Sequence, residues 1–126
     1  MKILENVKYT NDHEWVLVNG NIGTIGITDY AQGELGDVVF VDIDSDIIEI
    51  TKGESFGTIE AVKTVSDLFA PFNGKVIGIN KKLVESPELV NTDPFGEGWM
   101  IKAELKNPAD LDDLLNANAY KTLVGQ

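Results

Sequence analysis

The sequence predicts a mainly β fold with a few short helices and a helical C-terminal tail. β-branched and aromatic residues dominate residues 55–69, which contain no proline and only one glycine, Gly57, as is typical of extended strands. Similar short segments, separated by turn-forming residues, recur up to residue 105. After residue 107, leucines 111, 114 and 115 follow helical spacing instead.

The first half is expected to contain three strands and one short helix. The predicted strands are residues 14–18, 22–27 and 37–43, and an Asn-Gly turn joins the first two. Asp29 is the predicted N-cap of the helix, with Gln32 as its capping-box partner. In the third strand, alternation places Val39, Val41 and Ile43 on one face.

The second half is expected to continue the β structure and then change to helix. Its predicted strands are residues 47–50, the long run from 55, residues 75–79 and residues 99–105. Ser86-Pro87 predicts a helix start, with serine as N-cap and proline at the first helical position. A helix is predicted to begin at residues 107–110, and Asn118 is the predicted cap of a last helix through Val124.

Lys63 lies near the middle of the long β run. Fifteen residues exceed the usual strand length of about 3–10, so residues 55–69 are expected to bend into a hairpin near this lysine. A lysine at a hairpin tip presents its amine to solvent. The commoner interpretation is an ordinary lysine on a solvated strand face, and the bend alone does not distinguish the two.

An internal repeat places Lys63 at the junction of two similar halves. Residues 28–29 and 36–41 match residues 66–67 and 74–79 at an offset of 38, and Lys63 lies three residues before the second copy. Two similar halves are expected to build a shared core. With 126 residues and no long linker, the chain is expected to form one domain over residues 1–126, with the core at about 20–105 and a helical extension at about 107–126.

Composition excludes several classes of function. The net charge of −11 disfavours nucleic acids and anionic membranes as partners, and no apolar run approaches the roughly 20 residues of a membrane span. Cysteine is absent, so disulfides and thiolate chemistry are excluded. Residues 1–5 lack the apolar stretch of a secretory signal. A cytoplasmic location is therefore expected, or the mitochondrial matrix only if a transit peptide has been removed.

Enzyme and metal signatures are not found. His13 is the only histidine, and a structural role suits it better than a catalytic one. Asp42, Asp44 and Asp46 imitate a calcium loop that lacks the required glycine and glutamate. Lys63 has acidic neighbours in sequence, which favour the ammonium form and argue against a Schiff-base nucleophile. We therefore expect neither catalytic residues nor a metal site.

The segment Glu60-Ala61-Val62-Lys63-Thr64-Val65-Ser66-Asp67 resembles the lipoylation motif of the H proteins of the glycine cleavage system. Further similarities follow in the order of that family, at residues 13–16, 27–32, 35–37, 87–91 and 96–99. The resemblance implies a flattened antiparallel β sandwich of the lipoyl-domain (barrel-sandwich hybrid) type with quasi-twofold halves. Many members carry alanine where Thr64 stands, and threonine suits a hairpin strand. The lysine also lacks the flanking methionines of biotin acceptors.

The resemblance implies a carrier rather than an enzyme. Its lipoyl arm, attached to Lys63, would receive an aminomethyl group from glycine decarboxylase, the P protein. The arm would pass that group to the aminomethyltransferase, the T protein, and would be reoxidised by dihydrolipoyl dehydrogenase, the L protein. A lipoate ligase or a lipoyl/octanoyl transferase would load it. Two alternatives stay open: a lipoyl relay that donates lipoyl groups to other enzymes, and an unmodified interaction module.

The resemblance also implies roles for four further residues. Glu60, three residues before the lysine, and Gly74, eleven after it, match recognition determinants of the lipoylating enzyme. Glu14 and Asp67 match acidic residues that face the loaded arm, where a carboxylate would pair with the arm's amine and shield it from hydrolysis. The plain alternatives are a turn glycine for Gly74 and ordinary surface acidity for the three carboxylates.

Overall fold

The structure, a computed structural model that describes residues 1–126, contains nine strands and four short helices. The strands are β1 (Lys8–Tyr9), β2 (Glu14–Asn19), β3 (Ile22–Ile27), β4 (Val38–Asp42), β5 (Glu49–Ile50), β6 (Ser55–Ala61), β7 (Val65–Phe69), β8 (Gly74–Ile79) and β9 (Ile101–Leu105). The helices are α1 (Asp29–Leu35), α2 (Lys82–Glu85), α3 (Leu89–Thr92) and α4 (Ala117–Val124), and a 3-10 turn spans Pro108–Leu111. None of the helices combines the length and the apolar character that crossing a membrane requires.

The strands form two antiparallel sheets. A six-stranded sheet has the order β1-β2-β3-β9-β8-β5, and a three-stranded sheet has the order β4-β6-β7. The main hydrophobic core takes buried side chains from both, for example Ile25 and Ile101 from the first sheet and Ile59 and Leu68 from the second. The prediction of a mainly antiparallel β sandwich with short helices and a helical tail is confirmed, and neither sheet closes into a barrel.

The predicted repeat is visible in the strand pairing. In the first sheet β8 pairs with β9 and β9 with β3, and in the second β4 pairs with β6 and β6 with β7. Each half therefore contributes one strand to the sheet of the other half: β3 pairs with β9 in the first sheet, and β7 pairs with β6 in the second. Both β4 and β8 contain a bulge, at Val39 and at Ile77, which are 38 residues apart. The β6–β7 hairpin connects the two halves, so Lys63 lies on this connection.

The bulge explains one wrong prediction. Val38 and Val41 are buried, whereas Val39 is exposed. The alternation predicted for Val39, Val41 and Ile43 fails because the extra residue of a bulge breaks the two-residue period of the strand. The strand predicted at residues 47–50 is also shorter, since only Glu49 and Ile50 pair with β8.

Three helix starts differ from the predictions. Thr28, not Asp29, caps α1, because its side chain accepts the Ala31 N–H, while Asp29 accepts a hydrogen bond from Gln32 inside the first turn. Ser86-Pro87 lies between α2 and α3, so the predicted serine cap is wrong. At the C-terminus the cap is Asn116 rather than Asn118, and the helix predicted from residues 107–110 is only the 3-10 turn.

A second hydrophobic cluster joins the two ends of the chain. It contains the buried residues Val7, Tyr9, Trp15, Ala117 and Tyr120. The rings of Tyr9 and Tyr120 stack with a centroid distance of 4.3 Å and an interplanar angle of 8°. Helix α4 is thereby fixed against β1 and β2, next to the side of the molecule on which α1 begins.

Candidate functional site

Lys63 lies at the tip of the β6–β7 hairpin. Three residues, 62–64, connect the strands, and the Ala61 N–H closes the turn by donating to the Thr64 carbonyl at 2.8 Å. The Val62 N–H donates to the carbonyl of Asp37 at 3.1 Å, which braces the tip against the start of β4. Lys63 is exposed. The predicted hairpin position of this lysine is confirmed, and its amine is accessible on a protrusion with a fixed backbone.

Glu60 is exposed on the outer face of the three-stranded sheet. It pairs across the strands with Phe40 on one side and Val65 on the other. This is the last cross-strand pair before the turn that carries Lys63. An enzyme that reaches the lysine from outside the sheet therefore meets Glu60 as well, but its role in recognition stays a prediction.

Gly74 lies in a different environment from Glu60. It is buried at the first position of β8, in the six-stranded sheet. A Cβ atom there would lie 2.8 Å from Cε1 of Phe72 and 2.9 Å from the carbonyl oxygen of Glu104. Close packing thus requires glycine at this position, whether or not the lipoylating enzyme also depends on it.

A cleft of about 330 Å³ lies beside the hairpin, between the start of β2, helix α1 and strand β7. Carboxylates, aromatic rings and aliphatic side chains line it together. Its residues are Asp12, His13, Glu14, Ile27, Tyr30, Ala31, Glu34, Leu35, Ile59, Ser66, Asp67 and Leu68. The cleft brings together Glu14 and Asp67, the two carboxylates that the sequence predicted to face the arm.

Glu14 is the buried carboxylate of this cleft, with 2% of its surface exposed. Its Oε2 accepts the Phe69 N–H at 2.8 Å, and its Oε1 accepts the Thr10 hydroxyl at 3.1 Å. Burial outweighs these hydrogen bonds and raises the pKa of Glu14 to about 8. Glu14 is therefore largely neutral at pH 7 until a cation enters the cleft, and a cation would favour its ionised form.

Asp67 lies on β7, the edge strand of the three-stranded sheet. It is exposed, and its Oδ1 accepts the Ser55 hydroxyl at 3.1 Å. Three residue steps from Thr64 to Asp67 place it roughly 10 Å along the strand from the end of the turn. The cleft thus combines the desolvated carboxylate of Glu14 with the exposed carboxylates of Asp12, Glu34 and Asp67.

Helix α1 and the residue before Glu14 supply cleft residues that the sequence did not indicate. Tyr30 and Glu34 are four residues apart on α1, so both point to the same side of the helix. His13 has a φ of 66°, and its Nδ1 lies 2.9 Å from the Tyr120 hydroxyl. Burial lowers the pKa of His13. The sequence shows the helical spacing of Tyr30 and Glu34, but it does not show which strand faces them across the cleft.

The Tyr120 hydroxyl connects helix α4 to this side of the cleft. It lies 2.7 Å from Oγ1 of Thr28, the same oxygen that caps α1. Tyr120 is fully buried, and burial raises its pKa to about 12. The side chain therefore stays neutral and can hold both the cap of α1 and the His13 ring.

The arrangement suits a covalently attached, flexible arm. Lys63 offers an exposed amine for an amide bond, and the adjacent cleft offers aliphatic walls with four carboxylates for an arm that ends in a cation. Thiols for competing disulfide exchange are absent from the chain. The residues present therefore fit a lipoyl group.

Comparison with known proteins identifies the family. Residues 7–126 match the family model described as glycine cleavage H-protein. The chain is 56% identical over 124 residues to the glycine cleavage system H protein of Bacteroides fragilis, covering 98% of each chain, and 52% identical to that of Staphylococcus haemolyticus over the full length of both. The crystal structure of the H protein from Mycobacterium marinum superposes with a TM-score of 0.90 at 35% identity, covering 98% of this chain and 100% of that one. The chain therefore belongs to the glycine cleavage H-protein family.

Proposed function

We propose that this protein is the lipoyl-bearing carrier of a glycine cleavage system, with Lys63 as its attachment site. The observation that supports the proposal is the exposed lysine at the tip of a braced hairpin, beside a cleft that contains Glu14 and Asp67. The carrier takes an aminomethyl group from glycine decarboxylase to the aminomethyltransferase and delivers electrons to dihydrolipoyl dehydrogenase. The chemical steps belong to these enzymes, and the carrier is their shared substrate.

Lys63 is loaded by acyl transfer. Its neutral amine attacks the carbonyl carbon of a lipoyl adenylate or thioester that a lipoate ligase or a lipoyl/octanoyl transferase presents. The C–N amide bond forms, the bond to the adenylate or thiol breaks with its electron pair, and the proton of the amine passes to a base of the enzyme. The ammonium charge at the hairpin tip is lost.

The lipoyl group supplies redox-active sulfur chemistry that no side chain of this protein offers. The protein contributes a tether, which replaces free diffusion by a high effective concentration once the carrier has docked. It also contributes the cleft. Glu14 ionises when an ammonium group enters, and pairing with Glu14 and Asp67 holds that group beside the aliphatic side chains of the cleft.

The test combines loading and exchange. Purified protein is incubated with a lipoate ligase, lipoate and ATP, and the intact mass is measured. Wild type and Lys75→Arg, an exposed strand lysine outside the motif, should each gain one lipoyl group, whereas Lys63→Arg should gain none. Peptide mapping should show a missed tryptic cleavage after Lys63.

Exchange of labelled bicarbonate into glycine, with glycine decarboxylase present, should require the loaded carrier. The rate should fall as salt is added, because screening weakens the encounter of an acidic carrier with a basic enzyme surface. Lipoyl on another lysine with Lys63 free, or equal exchange with Lys63→Arg, would contradict the proposal.

A further inference from the structure

We infer that the outer face of the three-stranded sheet next to Lys63 is the docking surface of the lipoylating enzyme. This inference rests on the proposed function. The surface, called here the lysine face, consists of Phe40, Glu60 and Val65, which lie in one row across β4, β6 and β7. The lysine face thus adds two apolar contacts, from Phe40 and Val65, to the Glu60 carboxylate that the sequence motif indicates.

The row has the geometry of a single contact surface. Phe40 is paired with Glu60, and Glu60 with Val65, so the three side chains point to the same side of the sheet at cross-strand spacings of about 5 Å. Phe40 is 48% exposed and Val65 is 62% exposed. Two apolar side chains thus flank one carboxylate, directly beneath the turn that carries the acceptor lysine.

The repeat within the chain provides an internal control. In the six-stranded sheet the corresponding row contains Gly78, which lies 38 residues after Phe40 and pairs with Lys102, and Thr24, which pairs with Lys102 from the other side. This sheet has the same strand pairing and the same bulge, but its row contains no hydrophobic residue. The fold therefore does not require the apolar surface beside Lys63, which indicates that this surface serves contact with a partner.

Charge defines the chemistry of that partner. Strands β4, β6 and β7 with their hairpin carry three carboxylates, Asp42, Glu60 and Asp67, and a single lysine, Lys63. Asp42 and Asp67 form the next row on the same sheet, paired through Thr58. A complementary surface has an apolar centre for Phe40 and Val65 with basic residues around it.

The position of the row selects the lipoylating enzyme among the partners. That enzyme must bring its activated acyl group to Nζ of Lys63, so it necessarily covers the residues next to the hairpin tip. Enzymes that use the loaded arm act at its far end and can dock farther from the lysine. Phe40 and Val65 lie in the row next to the turn that carries Lys63, so their apolar contacts suit the enzyme that forms the amide bond.

The experiment measures kcat/KM for loading by purified lipoate ligase with lipoate and ATP. The double variant Phe40→Thr with Val65→Thr places threonine, which suits β-strands, at both positions and removes the apolar contact. Its matched control is Ile48→Thr with Ile77→Thr, which removes exposed hydrophobic residues (74% and 49% exposed) elsewhere on the surface. Thermal melts of both double variants confirm that they are folded.

We expect roughly a tenfold lower kcat/KM for the Phe40/Val65 variant, because truncating central apolar contacts of an interface typically has effects of this size. The control variant should load at the rate of wild type. Glu60→Gln should also slow loading and should weaken its dependence on salt.

Three outcomes would overturn the inference: equal loading of wild type and the Phe40/Val65 variant, equal losses in both double variants, or normal loading with a defect only in bicarbonate exchange. The last result would assign the lysine face to glycine decarboxylase. A failure of the proposed function looks different, because wild type itself would then not be acylated on Lys63.

Discussion

The buried carboxylate of Glu14 should make the stability of this protein fall between pH 5 and pH 8. Its folded pKa is about 8, against 4.5 for the ordinary group, because of burial. Over this range the folded protein retains a proton that the unfolded chain releases, so rising pH favours unfolding. Glu14→Gln removes this dependence, since glutamine is neutral at every pH and its carbonyl can still accept the Phe69 N–H.

The size of the effect follows from the two pKa values. A difference of one pKa unit corresponds to about 1.4 kcal/mol. With pKa values of 4.5 and about 8, ionisation of Glu14 lowers the free energy of unfolding by about 1 kcal/mol at pH 5 and by about 4 kcal/mol at pH 8. The stability gained by Glu14→Gln should therefore grow by about 3 kcal/mol between these pH values.

Urea unfolding of wild type and Glu14→Gln at pH 5 and pH 8 measures this change in the stability gain. The contributions of the other titrating groups are the same in both proteins and cancel when the two are subtracted. The control is Glu104→Gln, an exposed glutamate on β9, for which the difference from wild type should not change with pH. A Glu14→Gln gain that is equal at both pH values would show that Glu14 is ionised in the folded protein without cost, and the account of the cleft would be refuted.

Two further predictions concern packing and the contact between α4 and α1. Gly74→Ala should destabilise the protein by about 1–3 kcal/mol in urea melts, because its Cβ would press on Phe72 and on a backbone carbonyl. The control Gly33→Ala lies in open space on α1 and should instead stabilise the protein by about 0.5–1 kcal/mol. Equal effects of the two substitutions would show that close packing does not require glycine at position 74. Tyr120→Phe should cost about 1–2 kcal/mol, because it removes the hydroxyl between Thr28 and His13, and amide exchange in α1 should accelerate. Unchanged exchange in α1 would show that Thr28 alone maintains the cap.

Local chemistry made much of the fold predictable. The strands predicted at residues 14–18 and 22–27 follow from their residue types and the Asn-Gly turn between them, and the length of the run from residue 55 to 69 required the bend at Lys63. These features depend on residues that are neighbours in sequence. The bulges at Val39 and Ile77 were not predictable in this way, because a bulge is a mismatch between two strands.

Competition between nearby residues for the N-cap position explains the errors at helix starts. Thr28 and Asp29 are both good caps, and so are Asn116 and Asn118 in sequence terms. The choice of Thr28 is reinforced by the Tyr120 hydroxyl, which arrives from the other end of the chain. Such a contact leaves no local signal.

The sequence by itself determined the β character, the two similar halves, the hairpin lysine and the family that the motif around Lys63 resembles, because each depends on residue types at short, regular spacing. Only the tertiary structure decided that Glu14 and Asp67 line one cleft with α1, and that Gly74 is required by packing in the opposite sheet. It also decided the protonation of Glu14. A pKa shift of this size comes from the removal of water by side chains that are distant in sequence, and no local pattern encodes that desolvation.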